Sequence, residues 1–75
     1  MYNSQEIAKR MEERAKQQGK TIRKMLLECH LGVNTVGNIK HGKDILTLNF
    51  AKIADYLDCS VDYLLGRTDN PEINR

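Results

Sequence analysis

The chain has 75 residues, of which 40% are hydrophobic and 29% charged, so it holds one small domain with a modest core. No apolar run approaches a membrane span, the polar N-terminus is no signal peptide, and two cysteines are too few for a disulfide scaffold; a cytoplasmic protein is expected. The net charge of +2 conceals an asymmetry: residues 1–19 carry +1, residues 20–43 carry five basic groups against one acid, and residues 44–75 carry −3.

The first helix is predicted to begin near Asn3, with Glu6 completing a capping box and Tyr2 stapling onto Ile7; Ser4 is the competing cap. It runs to Gln17 or Gln18. Ile7, Ala8, Met11 and Ala15 face inward, Lys9, Arg10, Glu12, Glu13 and Lys16 face outward, and Arg14 lies at the edge of the stripe. Gly19-Lys20 ends it. Thr21 then caps a second helix, in which Ile22, Met25, Leu26 and Cys29 form one apolar stripe and Arg23 and Lys24 point away. The stripe stops at Cys29-His30-Leu31. Gly32 is expected to open a third helix, with Val36 and Ile39 inward and Gly42 as its left-handed terminator. Helix, corner and helix make a helix-turn-helix.

The outer face of that third helix is chemically unusual. It offers Val33, Asn34, Thr35 and Asn38, with Gly37 between them, where a solvated face would carry Lys and Glu. Asn pairs bidentately with adenine, and Val or the Thr methyl contacts the thymine methyl group. Gly37 lets the backbone approach a groove closely. This face lies within the basic stretch, as a phosphate-facing surface requires. Arg23, Lys24 and the N–H groups near Thr21 and Ile22 are candidates for phosphate contacts.

Beyond Gly42, Lys43 and Asp44 start a loop. Ile45, Leu46 and Leu48 are apolar for a loop, and either tuck under the next helix or meet a partner subunit. That helix follows Leu46 or Thr47 and carries the stripe Phe50, Ile53, Ala54 and Leu57, with Phe50 expected as the largest core anchor. Asp58-Cys59-Ser60 is a turn, Ser60 caps a short fifth helix with Asp62 in its first turn, and Gly66 closes it. The domain therefore spans residues 1–66, and residues 67–75 read as a polar tail. Cys29 and Cys59 read as reduced core thiols, and with His30 and His41 they give no zinc spacing. No metal, cofactor or small-molecule ligand is implied. Neither paired carboxylates nor a nucleophile–base set is visible, so an enzyme is not expected.

Three segments carry a family resemblance: LGVNTVGNIKHGK, AKIADYLDCSVDYLLG and the closing GRTDNPE. Through them the chain, from Ser4 to Gly66, resembles the lambda-repressor-like DNA-binding domain of the Cro, phage repressor and XRE group. The resemblance implies an all-α fold of five compact helices with the third in the major groove of double-stranded DNA. Base-reading positions then fall on Val33, Asn34 and Asn38, with Gly37 close by. Backbone contacts fall on Thr21, Ile22, Thr35 and the loop of Lys40, His41, Gly42 and Lys43, extending as far as Leu46. The implied function is that of a transcriptional regulator, a repressor of phage or mobile-element type, bound to a pseudo-palindrome as a homodimer. Val61, Tyr63 and Leu64 are candidate dimer contacts, although core is the first reading of Tyr63 and Leu64. The chain departs from the family pattern at His30 (often glycine), Leu26 (often alanine), Gly32-Val33 (often Ser or Gln) and Ile45-Leu46 (often Pro-Ser). The alternative is a protein-interaction module, such as an antitoxin or a partner-binding regulator.

Overall fold

Three of the five helix starts in this chain are set by single side-chain oxygens. In the computed structural model, which describes residues 2–73, the elements are α1 (Ser4–Gln17), α2 (Ile22–Glu28), α3 (Thr35–Lys40), α4 (Thr47–Tyr56) and α5 (Val61–Leu65). No strand occurs among the described residues. Met1, Asn74 and Arg75, the ends of the predicted domain and tail, lie outside them. Asn3, not Ser4, caps α1: its Oδ1 accepts from the Gln5 and Glu6 N–H groups at 2.9 and 3.1 Å. Thr21 Oγ1 accepts from Lys24 N–H at 3.1 Å, and Ser60 Oγ accepts from Tyr63 N–H at 3.0 Å. Leu46 takes the cap position of α4 and offers no side-chain bond.

Helix ends are set by one repeated device. Gly19, His30, Gly42, Asp58 and Gly66 all have φ between 53° and 89° and stand just beyond the ends of α1 to α5 in turn. In each case the following N–H donates back to a carbonyl five residues earlier: Lys20 to Ala15, Leu31 to Leu26, Lys43 to Asn38, Cys59 to Ala54 and Arg67 to Asp62. This is the Schellman closure. Three positions use glycine. His30 and Asp58 accept the left-handed conformation despite their Cβ atoms, and Asp58 is the position that its turn signal alone did not assign to that region.

The core is assembled from all five helices. Ala8, Met11 and Ala15 of α1 meet Met25 and Leu26 of α2, Val36 and Ile39 of α3, Ile53 and Ala54 of α4, and Leu64 of α5. Cys29, Leu57 and Cys59 complete it from the helix ends. α1 packs chiefly against α3 and α5 and also meets α2, while α4 packs against α5 and α2. The radius of gyration is 11.1 Å, the value of about 11 Å that a compact chain of this length should have. One expectation is corrected here. Phe50, in the first turn of α4, only packs half-buried against the rim, and the centre is filled by Met11, Met25, Ile53, Leu57 and Leu64. Of the three candidate dimer contacts, Leu64 is 0% exposed and belongs to the core, its first reading. Tyr63 is half-buried against the same core, and Val61 alone of the three is exposed.

Two arginines of α1 tie down the chain's second half. Arg14, at the stripe's edge as expected, donates from Nε to the Leu57 carbonyl at 3.0 Å and from Nη2 to the Asp58 carbonyl at 2.8 Å. These bonds satisfy carbonyls at the end of α4. Arg10 was expected to face outward, but it is drawn in. Its Nη1 donates to the carbonyls of Tyr63 and Thr68, its Nη2 pairs with Asp69 at 3.0 Å, and its guanidinium lies 5.1 Å from the Tyr63 ring centroid. Ser60 N–H adds a bond to the Pro71 carbonyl at 2.9 Å, so residues 67–73 run back along the domain.

Both cysteines are buried and free. Burial pushes both thiols up from 9.0; Lys52 near Cys29 and Arg14 near Cys59 oppose the shift without reversing it. No described helix is long and apolar enough to cross a membrane. The left-handed conformation costs an L-residue about 1–2 kcal/mol, part of which glycine returns through its freer unfolded chain. His30→Gly should therefore raise the unfolding free energy by about 0.5–1 kcal/mol in urea titration. A loss of stability would show that the His30 side chain, rather than its backbone, secures the corner.

Candidate nucleic-acid interface

A six-residue helix does not hold its shape alone. α3 is held from within, because Val36 and Ile39 are 6% and 3% exposed against the core. That anchorage decides which way the rest of the helix points.

Its start differs from the sequence reading. Gly32 does not open the helix. The Thr35 hydroxyl donates to the Gly32 carbonyl at 2.7 Å, and Thr35 N–H donates to the same oxygen at 3.1 Å. That closes a tight turn through Val33 and Asn34, and the first α-type bond, Asn38 N–H to the Asn34 carbonyl at 2.8 Å, forms only beyond it. Side-chain competition for a backbone carbonyl is the reason. Val33 and Asn34 thus head the helix from a turn instead of lying along its side.

The exposed groups here are not spent on the fold. Asn34 occupies the cap position, yet its side chain makes no capping bond, so both its donor and its acceptor remain available. Asn38 is exposed and serves the fold through its main chain, with N–H donating to Asn34 and C=O accepting from Lys43. Val33 is 82% exposed. Gly37 has ordinary helical φ, and a Cβ placed there would meet nothing within 4 Å. The fold therefore does not require glycine at this position, although glycine costs about 1 kcal/mol relative to alanine in a helix. Thr35 is different. Its hydroxyl hydrogen is committed to Gly32, so in this rotamer it can accept but cannot donate to a phosphate.

The basic groups around α3 are mostly free. Arg23, Lys24 and Lys43 are exposed and take part in no ion pair among the described residues. Lys40 stands 3.9 Å from Glu12 of α1, a loose and half-exposed pair worth little. Thr21 spends a lone pair on its cap but keeps its hydroxyl hydrogen. The Ile22 side chain packs against the core, so any contact it makes outside runs through its main chain. His41 ends α3, its N–H donating to the Gly37 and Asn38 carbonyls. With Lys40 and Gly42 it lines a shallow concavity beside Asn3 and Ser4.

A second concavity was not legible as part of the site. Thr35 and Asn38 line it with His30, Asp44, Leu46 and Asn49. The start of α4 thereby joins the face of α3. The available signal was Leu46 itself, a leucine where a helix cap belongs. Ile45 packs on the core as one of the expected alternatives, but Leu46 and Leu48 are 74% and 76% exposed. Among the described residues no cluster of His, Cys, Asp or Glu is suited to a metal ion.

No protein-family model, curated protein or solved structure matches the chain. The geometry of this face therefore carries the functional argument by itself. One local bond is directly testable. Thr35→Val keeps the shape and removes the hydroxyl, and should cost about 0.5–1.5 kcal/mol of stability in urea titration. Unchanged stability would mean that the backbone bond alone holds the turn.

Proposed function

We propose that this chain is a lambda-repressor-like helix-turn-helix domain acting as a sequence-specific DNA-binding transcriptional regulator, a repressor of phage or mobile-element type. The observation that carries the reading is the face of α3. A helix anchored inward by Val36 and Ile39 turns outward two uncommitted amides, an exposed valine and a glycine that the fold does not require. These are poor choices for a solvated helix and good ones for base edges. Arg23, Lys24, Lys40 and Lys43 supply the matching charge, whereas Lys20, the fifth basic group of residues 20–43, is bonded to the Tyr56 carbonyl.

In this reading α3 lies in the major groove. Asn34 and Asn38 read bases, and Val33 packs on a methyl group. Arg23, Lys24, Lys40 and Lys43 neutralise phosphates, and the Thr21 hydroxyl and the first N–H groups of α2 add neutral donors. A homodimer on a pseudo-palindrome would place one α3 in each half-site, with Val61 the exposed candidate of α5 for the contact between copies. A cytoplasmic location goes with this reading. The exposure of Leu46 and Leu48 favours a second one, a protein-interaction module of antitoxin type.

Selection of bound duplexes from a random pool, followed by titration against salt, separates the two. An enriched motif supports the regulator, and no binding at low salt supports the interaction module. On the enriched duplex, Asn38→Ala should cost about 1–3 kcal/mol and relax preference at one base pair, with little effect on random DNA. Equal losses on both would remove Asn38 from the base-reading set. Lys43→Ala should weaken both kinds of duplex alike and lower the salt slope by about one. An unchanged slope would take Lys43 off the phosphates.

A further inference from the structure

We infer that the half-site is centred on A·T pairs whose thymine methyl groups are read by two aliphatic side chains, Val33 ahead of α3 and Leu46 ahead of α4. The inference rests on the DNA-binding reading and names the base chemistry of that same surface.

Leu46 is the new member. It stands at the cap position of α4, with φ −62° and ψ 141°, where Ser, Thr, Asp or Asn would satisfy a free N–H of the first turn. Leucine gives up that bond. Nor does it repay the loss by burial, because its neighbour Ile45 packs on the core while Leu46 is 74% exposed. It lines the same concavity as Thr35 and Asn38, so it borders the face that offers the amides. A helix cap has been exchanged for an aliphatic group beside a polar recognition surface. Gly37 shows the same kind of exchange, a fold-neutral position filled against helix propensity.

The residue types on this face select one class of base pair. Between Leu31 and Ile39 there is no Arg or Lys, the side chains that pair bidentately with guanine. The amides of Asn34 and Asn38 match the N6 and N7 edge of adenine, and exposed aliphatic groups match the C5-methyl of thymine. A single A·T pair presents both features in the major groove, so an amide and an aliphatic side chain can be satisfied side by side. The occupant of the exposed apolar groups is thus a thymine methyl; Val33 lies within the basic stretch of residues 20–43, and Leu46 shares its concavity with Thr35, Asn38 and Asp44.

The test uses the full chain and the duplex enriched from a random pool. Each thymine of the half-site is replaced in turn by uracil, which removes the methyl group alone. Two positions should each lose about fourfold in affinity, the worth of one buried methyl-sized group. Val33→Ala should abolish the loss at one position and Leu46→Ala at the other, each leaving its neighbour's loss intact. Both side chains are exposed, so both variants should keep the helical circular dichroism of the parent. A G·C-rich half-site, indifference to uracil, or a uracil effect that survives both substitutions would overturn the inference and leave the DNA-binding reading standing. An absence of any enriched duplex would overturn both.

Discussion

The left-handed residue at the end of every helix is the constraint on which this fold depends. α2, α3 and α5 have seven, six and five residues, too short to persist without tertiary support. Each is closed by a backbone bond reaching back five residues, and the residue at positive φ turns the chain toward its next element. At His30 this closure makes the corner between α2 and α3, and Leu31, just past it, packs on the core. The corner is thus pinned on both sides, by a left-handed backbone and by a half-buried side chain packed on the core. Asp58 does the same between α4 and α5, with the Arg14 guanidinium holding the adjoining carbonyls.

With the corners fixed, burial decides orientation. Val36 and Ile39 can reach the core only if α3 presents Asn34, Gly37 and Asn38 to the outside. The stability of the domain comes from one face of α3, and the other face is free to carry residues that serve no internal purpose. Three local rules are broken on that free side, by an asparagine that does not cap, a glycine that need not be one and a leucine where a cap belongs, and left-handed Asp58 is a departure away from it. Departures from local optimality gathered on one surface are the pattern expected of a functional site.

What could be read from the sequence follows the range of the interactions. Asn3, Thr21 and Ser60 bond within three residues, and their caps were legible. The inward turn of Val36 and Ile39 followed from spacing alone. The Gly32 turn was not legible as a turn, because the competition between the Thr35 hydroxyl and helix formation is decided by geometry. Arg10 bonds to carbonyls 53 and 58 residues away, which no local pattern reveals. Phe50 has the right spacing for the core but sits at the rim, since side-chain size does not say where the centre of a packed domain lies. For the site, residue types and spacing singled out the α3 face. The contribution of Leu46 and Asn49 depends on the start of α4 folding back beside α3, and only the structure brings them together.

The most direct measurement of the central claim is a chemical-shift map. Amide resonances of the labelled full chain would be followed as a duplex is added at moderate salt. The largest changes should fall on Thr21 to Lys24, Val33 to Asn38 and Lys40 to Leu46, with the core side of α1 and the residues of α5 little moved. Changes centred on α5 or the C-terminal segment, with α3 silent, would contradict the claim that the outer face of α3 is the working surface of this protein.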